Sequence, residues 1–102
     1  MAHNIRLRGF WHILQEEERT TYSRGFGKPR LPDDTEHVWL TCTSLPVQTE
    51  VRLNGDLIAT TVATGPFGVD ITPRLRGRNS VSFTLSSREV LSEIALEIRP
   101  AS

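Results

Sequence analysis

Two aromatic residues, Trp39 and Tyr22, have side chains suited to recognising a saccharide, because aromatic rings stack on the apolar faces of sugar rings. Arg24 and His37 lie close to them in the sequence and could hydrogen-bond the sugar hydroxyls. If the apolar side chains that alternate with Trp39 face the core, Trp39 points toward solvent or a partner. The alternative is that Trp39 packs into one sheet face under a loop. Trp39, Tyr22, Arg24 and His37 are therefore the candidate ligand-binding residues.

Acidic residues cluster in two places, Glu16–Glu18 and Asp33–Glu36. Glycoside hydrolysis needs two carboxyl groups that face each other about 5–9.5 Å apart. Both clusters lie in polar connections, where solvated loops are the more typical interpretation, and neither has the alternating pattern of a calcium loop. Cys42 shares a face with apolar neighbours, and His3, His12 and His37 form no i, i+4 pair. We expect no catalytic residues, no bound metal and no cofactor.

Arginine occurs eleven times and lysine once, and Arg74, Arg76 and Arg78 cluster around one turn. A guanidinium group binds carboxylate or phosphate bidentately, so this cluster could meet an acidic sugar, a phosphate or an acidic patch. The alternative is a solvated turn. Twelve basic side chains balance twelve acidic ones, and no aromatic stacking platform adjoins the cluster. We therefore expect no nucleic-acid partner.

Short runs of alternating apolar and polar residues, punctuated by Gly, Pro and Asn, predict about eight strands and no long helix. The predicted strands begin with one strand over 5–13, with either a bulge or a close backbone approach at Gly9, and a second over 20–26. Others follow at 37–43, 67–71, 80–86 and 94–98. Asn54-Gly55 predicts a type I′ hairpin within 50–59, and Thr72-Pro73 predicts a helical turn capped by Thr72. Such a series buries one face of each strand by pairing two sheets, which predicts an all-β, jelly-roll β-sandwich.

The chain has 102 residues and 37% hydrophobic residues, which predicts one domain over 1–102 with one core. Its N-terminus lacks an apolar run of signal-peptide length, and no segment has the length of a membrane span. We expect no membrane partner and a cytoplasmic location, with a secreted origin left open.

Three segments in order resemble the N-terminal sugar-binding jelly-roll domain of family 2 glycosidases, the β-galactosidase and β-glucuronidase group. The segments are Val51-Arg52-Leu53-Asn54-Gly55, Gly65-Pro66-Phe67-Gly68-Val69-Asp70-Ile71-Thr72 and Leu75-Arg76-Gly77-Arg78-Asn79. The resemblance covers residues 38–86 and, more loosely, 5–11, and it implies a galactose-binding-like sandwich. It is weak around Tyr22 and Arg24 and in the 45–49 connection. In that family the catalytic carboxylates lie on a separate barrel domain, to which nothing in this sequence corresponds.

Two functions remain open from the sequence. The first is a non-catalytic carbohydrate-binding module. The second is a structural or protein–protein interaction domain that packs on another copy or on an enzyme partner, without sugar binding. Enzymatic activity is not expected, and fold alone does not decide between the other two.

Overall fold

The computed structural model describes residues 3–8, 11–30, 35–86, 91 and 93–100. Within these ranges the chain forms nine strands and one 3-10 turn, Thr72–Arg74. The strands are β1 (His3–Arg6), β2 (His12–Gln15), β3 (Thr20–Gly27), β4 (Glu36–Leu45), β5 (Glu50–Leu53), β6 (Asp56–Thr60), β7 (Gly65–Asp70), β8 (Arg78–Leu85) and β9 (Ile94–Pro100). The predicted all-β class is confirmed. No helix in these ranges is long and apolar enough to cross a membrane.

The strands form two antiparallel sheets that pack as a sandwich. The first sheet has the order β1-β9-β4-β7, and the second has the order β2-β3-β8-β5-β6. Alternation drives the packing, because every second side chain of a strand faces the same side. Val38 and Leu40 on the first sheet and Val81 and Phe83 on the second are fully buried in one cluster. Each such side chain stabilises the fold by about 1.5–3 kcal/mol relative to exposure.

The predicted hairpin is confirmed. Asn54 has φ 52° and Gly55 has φ 89°, which are the positive values that a type I′ turn requires at both central positions. The predicted helical turn is also present, but Thr72 is its first residue and not its cap, since Ile71 occupies the cap position. The hydroxyl of Thr72 instead accepts the backbone N–H of Val38 at 2.7 Å, which ties the turn to β4.

The prediction of one strand over residues 5–13 is wrong. β1 pairs with β9 in the first sheet, whereas β2 pairs with β3 in the second. Leu7 is buried just after β1, and the indole N–H of Trp11 donates to its carbonyl at 3.2 Å. Apolar alternation looks the same in one long strand as in two strands of opposite sheets, so the change of sheet left no signal. Gly9, where a bulge or a close backbone approach was predicted, lies outside the described residues.

A clasp of two asparagines joins the hairpin to the start of β8. Oδ1 of buried Asn79 accepts the Arg76 backbone N–H at 2.8 Å and the Asn54 amide at 3.2 Å, while its own amide donates to the Arg76 carbonyl at 2.8 Å. Gly77 and Asn79 are residue types that tolerate positive φ, but positive φ within the described ranges occurs only at other positions. Asn79 serves the turn through its side chain.

Candidate functional site

Trp39 lies on the outer face of the first sheet. Its chain neighbours Val38 and Leu40 are fully buried, so the alternation of β4 directs Trp39 away from the core, which is the first of the two alternatives that the sequence left open. The ring lies next to Gly68 on β7, where an added Cβ would stand at an ordinary contact distance of 3.7 Å from Cε3 of Trp39. The indole is therefore partly buried on a sheet surface and does not take part in the core.

Arg99 covers the Trp39 ring. Its guanidinium carbon lies 4.5 Å from the ring centroid, within cation–π distance. Nε and Nη2 of Arg99 donate to the two carboxylate oxygens of Glu97 at 2.8 and 3.2 Å. Antiparallel pairing of β4 with β9 explains why Arg99 and Glu97 lie next to Trp39, since Trp39 is opposite Glu97 in the register of the two strands. Hydrogen bonds from Arg99 lower the pKa of Glu97 against the opposing effect of burial, so this carboxylate is an ionised acceptor at neutral pH.

His37 and Asp70 form a second polar pair on the same face. Nδ1 of His37 lies 2.5 Å from Oδ2 of Asp70, and the other oxygen of Asp70 accepts the backbone N–H of Thr72 at 2.9 Å. Burial alone would raise the pKa of Asp70, but the hydrogen bonds to His37 and Thr72 outweigh it and lower that pKa. Asp70 is opposite Trp39 in the register of β4 and β7. Trp39 is thus flanked by a polar pair on each side.

A shallow depression of about 350 Å³ opens on this outer face beside Arg99. The residues that line it and can form hydrogen bonds are Asn4, Arg6, Thr41, Thr43, Glu97 and Arg99. Pro66 and Ala95 add apolar surface. Glu93 at its rim lies 3.6 Å from Arg6, so each carboxylate of the depression has an arginine partner. The lining offers donors, acceptors and small apolar patches together.

The structure does not bring Tyr22 and Arg24 to this face. Both belong to the face of β3 that turns toward the core, and Tyr22 packs against the core cluster. The Arg24 guanidinium lies 6.0 Å over the Trp11 ring and donates to the Arg8 carbonyl. The four candidate residues therefore fall into two separate pairs, and His37 with Trp39 is the pair that shares the outer face.

Three residues of the polar face were missed by sequence analysis: Asp70 as a partner of His37, and Glu97 with Arg99. The alternation of β9 does place Glu97 and Arg99 on its outer side. Their contact with β4, however, depends on pairing across more than fifty residues of chain, which no local pattern reveals.

The remaining candidate groups are dispersed. Arg74, Arg76 and Arg78 are exposed around the 3-10 turn, and the Glu16–Glu18 cluster is exposed between β2 and β3. Asp33 and Asp34 lie outside the described residues. Cys42 is buried, as predicted, and its thiol donates to the Ser44 carbonyl at 3.2 Å. Within the described ranges no group of His, Cys, Asp and Glu side chains is placed to hold a metal ion.

These features define an all-β sandwich with a polar outer face that carries Arg6 and Arg99. Its fold is similar to part of two β-glucuronidases. One is the FMN-binding β-glucuronidase from Facaelibacterium prausnitzii L2-6, with a TM-score of 0.83 and 18% sequence identity over 98% of this chain. The other is the Bifidobacterium dentium β-glucuronidase complexed with coumarin-3-O-glucuronide, with a TM-score of 0.81 and 12% identity over 97% of this chain.

The resemblance to family 2 glycosidases is therefore confirmed as a resemblance of fold. The chain spans only 23% and 30% of the lengths of those two enzymes. No protein-family model matches the sequence, and no curated protein matches it.

Proposed function

We propose that this chain is a non-catalytic carbohydrate-binding module whose binding surface is the depression on the outer face of the first sheet. The observation that carries the proposal is the Glu97–Arg99 pair, held over Trp39 at the wall of that depression. Adjacent sugar hydroxyls each need a donor and an acceptor, and a fixed carboxylate–guanidinium pair presents both side by side. Pro66 and Ala95 supply apolar surface for the C–H face of a ring.

Trp39 has a positioning role in this proposal. Because Arg99 lies over the indole, a sugar reaches the ring directly only after Arg99 moves. The ring and Glu97 together hold the guanidinium in one orientation, which lowers the entropy lost when a ligand binds. This differs from direct stacking, the role first predicted for Trp39.

The chemistry of the two carboxylates supports binding over hydrolysis. A general acid for glycoside cleavage needs a raised pKa so that it carries a proton near neutral pH. Arg99 instead lowers the pKa of Glu97, and Glu93 is an exposed residue paired with Arg6. Glu97 therefore lacks the environment of a proton donor, whereas both carboxylates suit the acceptance of hydroxyl hydrogen bonds.

Calorimetric titration with methyl β-glucoside, methyl β-galactoside and methyl β-glucuronide at millimolar concentrations tests the proposal. We expect Arg99→Ala to weaken the affinity for the bound glycoside about tenfold, the loss of roughly 1.4 kcal/mol of charged hydrogen bonding. Trp39→Leu, which removes the aromatic ring, should weaken it about two- to fivefold, the value of a cation–π contact. The matched control is Arg52→Ala, since Arg52 forms a similar pair with Glu50 on the second sheet.

The second candidate is an interaction domain without sugar binding. The observation that favours it is that Arg99 lies over the Trp39 ring, so this ring is not open to a sugar on this polar, shallow face. Binding of none of the three glycosides, or equal effects of Arg99→Ala and Arg52→Ala, would reject the carbohydrate proposal and leave this candidate.

A further inference from the structure

β2 forms one edge of the second sheet, and its outer edge is open among the strands that the structure describes. All four residues, His12, Ile13, Leu14 and Gln15, are exposed, with Ile13 at 56% and Leu14 at 53%. Natural edge strands are usually protected by charged residues, proline or a bulge, because their free backbone groups can pair with another strand. β2 contains no Lys, Arg, Asp, Glu or Pro, and its pairing with β3 has no bulge.

The hydrogen bonds of the β2–β3 turn determine which backbone groups of β2 face outward. The Glu16 N–H donates to the Arg19 carbonyl at 2.8 Å, which makes these two residues a hydrogen-bonded pair. Hydrogen-bonded and non-hydrogen-bonded pairs alternate along an antiparallel ladder. His12 and Leu14 therefore bond to β3, whereas the N–H and C=O groups of Ile13 and Gln15 point away from it.

A second copy of this chain fits this edge in an antiparallel two-fold arrangement. Pairing Ile13 with the partner's Gln15, and Gln15 with the partner's Ile13, joins outward groups only and gives about four backbone hydrogen bonds. In a register shifted by one residue, the free backbone groups of Ile13 and Gln15 would lie opposite residues whose backbone groups already bond to β3. In the matching register Leu14 meets the partner's Leu14 across the axis.

The same register brings complementary polar groups together at both ends of the strand. His12, Leu14 and Glu16 share one face of β2, so His12 lies opposite the partner's Glu16, and Glu16 lies opposite the partner's His12. Both side chains are exposed in the single chain. Apolar contact at the axis and complementary groups at both ends are the cross-strand pairs that stabilise antiparallel sheets.

We propose that two copies of this chain associate through β2, forming one continuous sheet across a two-fold axis at Leu14. This association does not depend on the carbohydrate-binding proposal, because β2 belongs to the second sheet and the depression lies on the first.

Sedimentation velocity of the full chain across a range of concentrations tests the association. We expect a monomer–dimer equilibrium whose dissociation constant rises at least about tenfold in Leu14→Lys, because two ammonium groups would meet at the axis. Leu57→Lys is the matched control, since Leu57 is 50% exposed on β6, at the opposite edge of the same sheet. It should leave the equilibrium unchanged.

Two further variants test the register. His12→Glu should weaken the dimer, and the double variant His12→Glu with Glu16→Lys should restore it. Leu14→Cys should form an intermolecular disulfide under mild oxidation faster than Leu57→Cys, with Cys42 buried in both. A chain that stays monomeric at all concentrations and cross-links equally slowly at both cysteines would overturn the proposal. A dimer that Leu14→Lys leaves intact would also overturn it.

Discussion

Removing the Asn79 side chain should cost this fold more stability than its small size implies. Asn79 is 5% exposed and makes three side-chain hydrogen bonds, two to the backbone of Arg76 and one to Asn54. A typical protein hydrogen bond contributes about 0.5–1.5 kcal/mol net. Arg76 is an exposed residue, so water can replace part of the lost hydrogen bonding in the variant. We therefore expect Asn79→Ala to lower the free energy of unfolding by about 2–3 kcal/mol.

Urea denaturation followed by tryptophan fluorescence measures this change, with an unaltered m-value as the check on two-state unfolding. Asn4→Ala, at an exposed position on β1, is the control and should lie within about 0.5 kcal/mol of the wild type. A double-mutant cycle with Asn54→Ala should give a coupling energy of about 0.5 kcal/mol or more. A loss below about 0.5 kcal/mol in Asn79→Ala would refute the idea that the clasp stabilises the turn.

Asp70→Asn should flatten the acid limb of the stability profile. The folded-state pKa of Asp70 lies below its ordinary 3.8, so its ionisation stabilises the fold above that value, and the contribution is lost as pH falls through the folded-state pKa. Urea midpoints between pH 6 and pH 2 should therefore fall more in the wild type than in the variant. Gly68→Ala should be tolerated, because its Cβ meets only ordinary contacts, whereas Gly55→Ala at φ 89° should cost about 1 kcal/mol. Equal thermal midpoints for the two glycine variants would contradict this reasoning.

Local patterns were enough to predict most strands of this fold. Val38 and Leu40 alternate with Trp39 in a single strand, so the outward direction of Trp39 could be read from three neighbouring residues. Asn54-Gly55 specified its turn because few other dipeptides accept two positive φ values. These predictions succeeded because each depends on residues that are adjacent in the chain.

The polar face could not be predicted in the same way. Tyr22 and Trp39 are both aromatic, yet they lie on different sheets, and Tyr22 faces the core whereas Trp39 faces outward. Arg99 reaches Trp39 because β9 pairs with β4, a contact between distant parts of the chain. The alternation of apolar and polar residues predicts which side chains point away from the core. Pairing between strands that are distant in the chain determines which of those side chains contact one another.

Pairing through β2 and saccharide binding on the first sheet together predict avidity. β2 extends the second sheet, so the outer face of the first sheet remains open in both copies. Two linked binding faces should strengthen attachment to a glycan-coated surface about 100-fold or more over a single face. Leu14→Lys should lose that gain while keeping the wild-type affinity for a free glycoside in solution, and Leu57→Lys should keep both. A fall in the solution affinity of Leu14→Lys would show that β2 and the depression are coupled, which contradicts their independence.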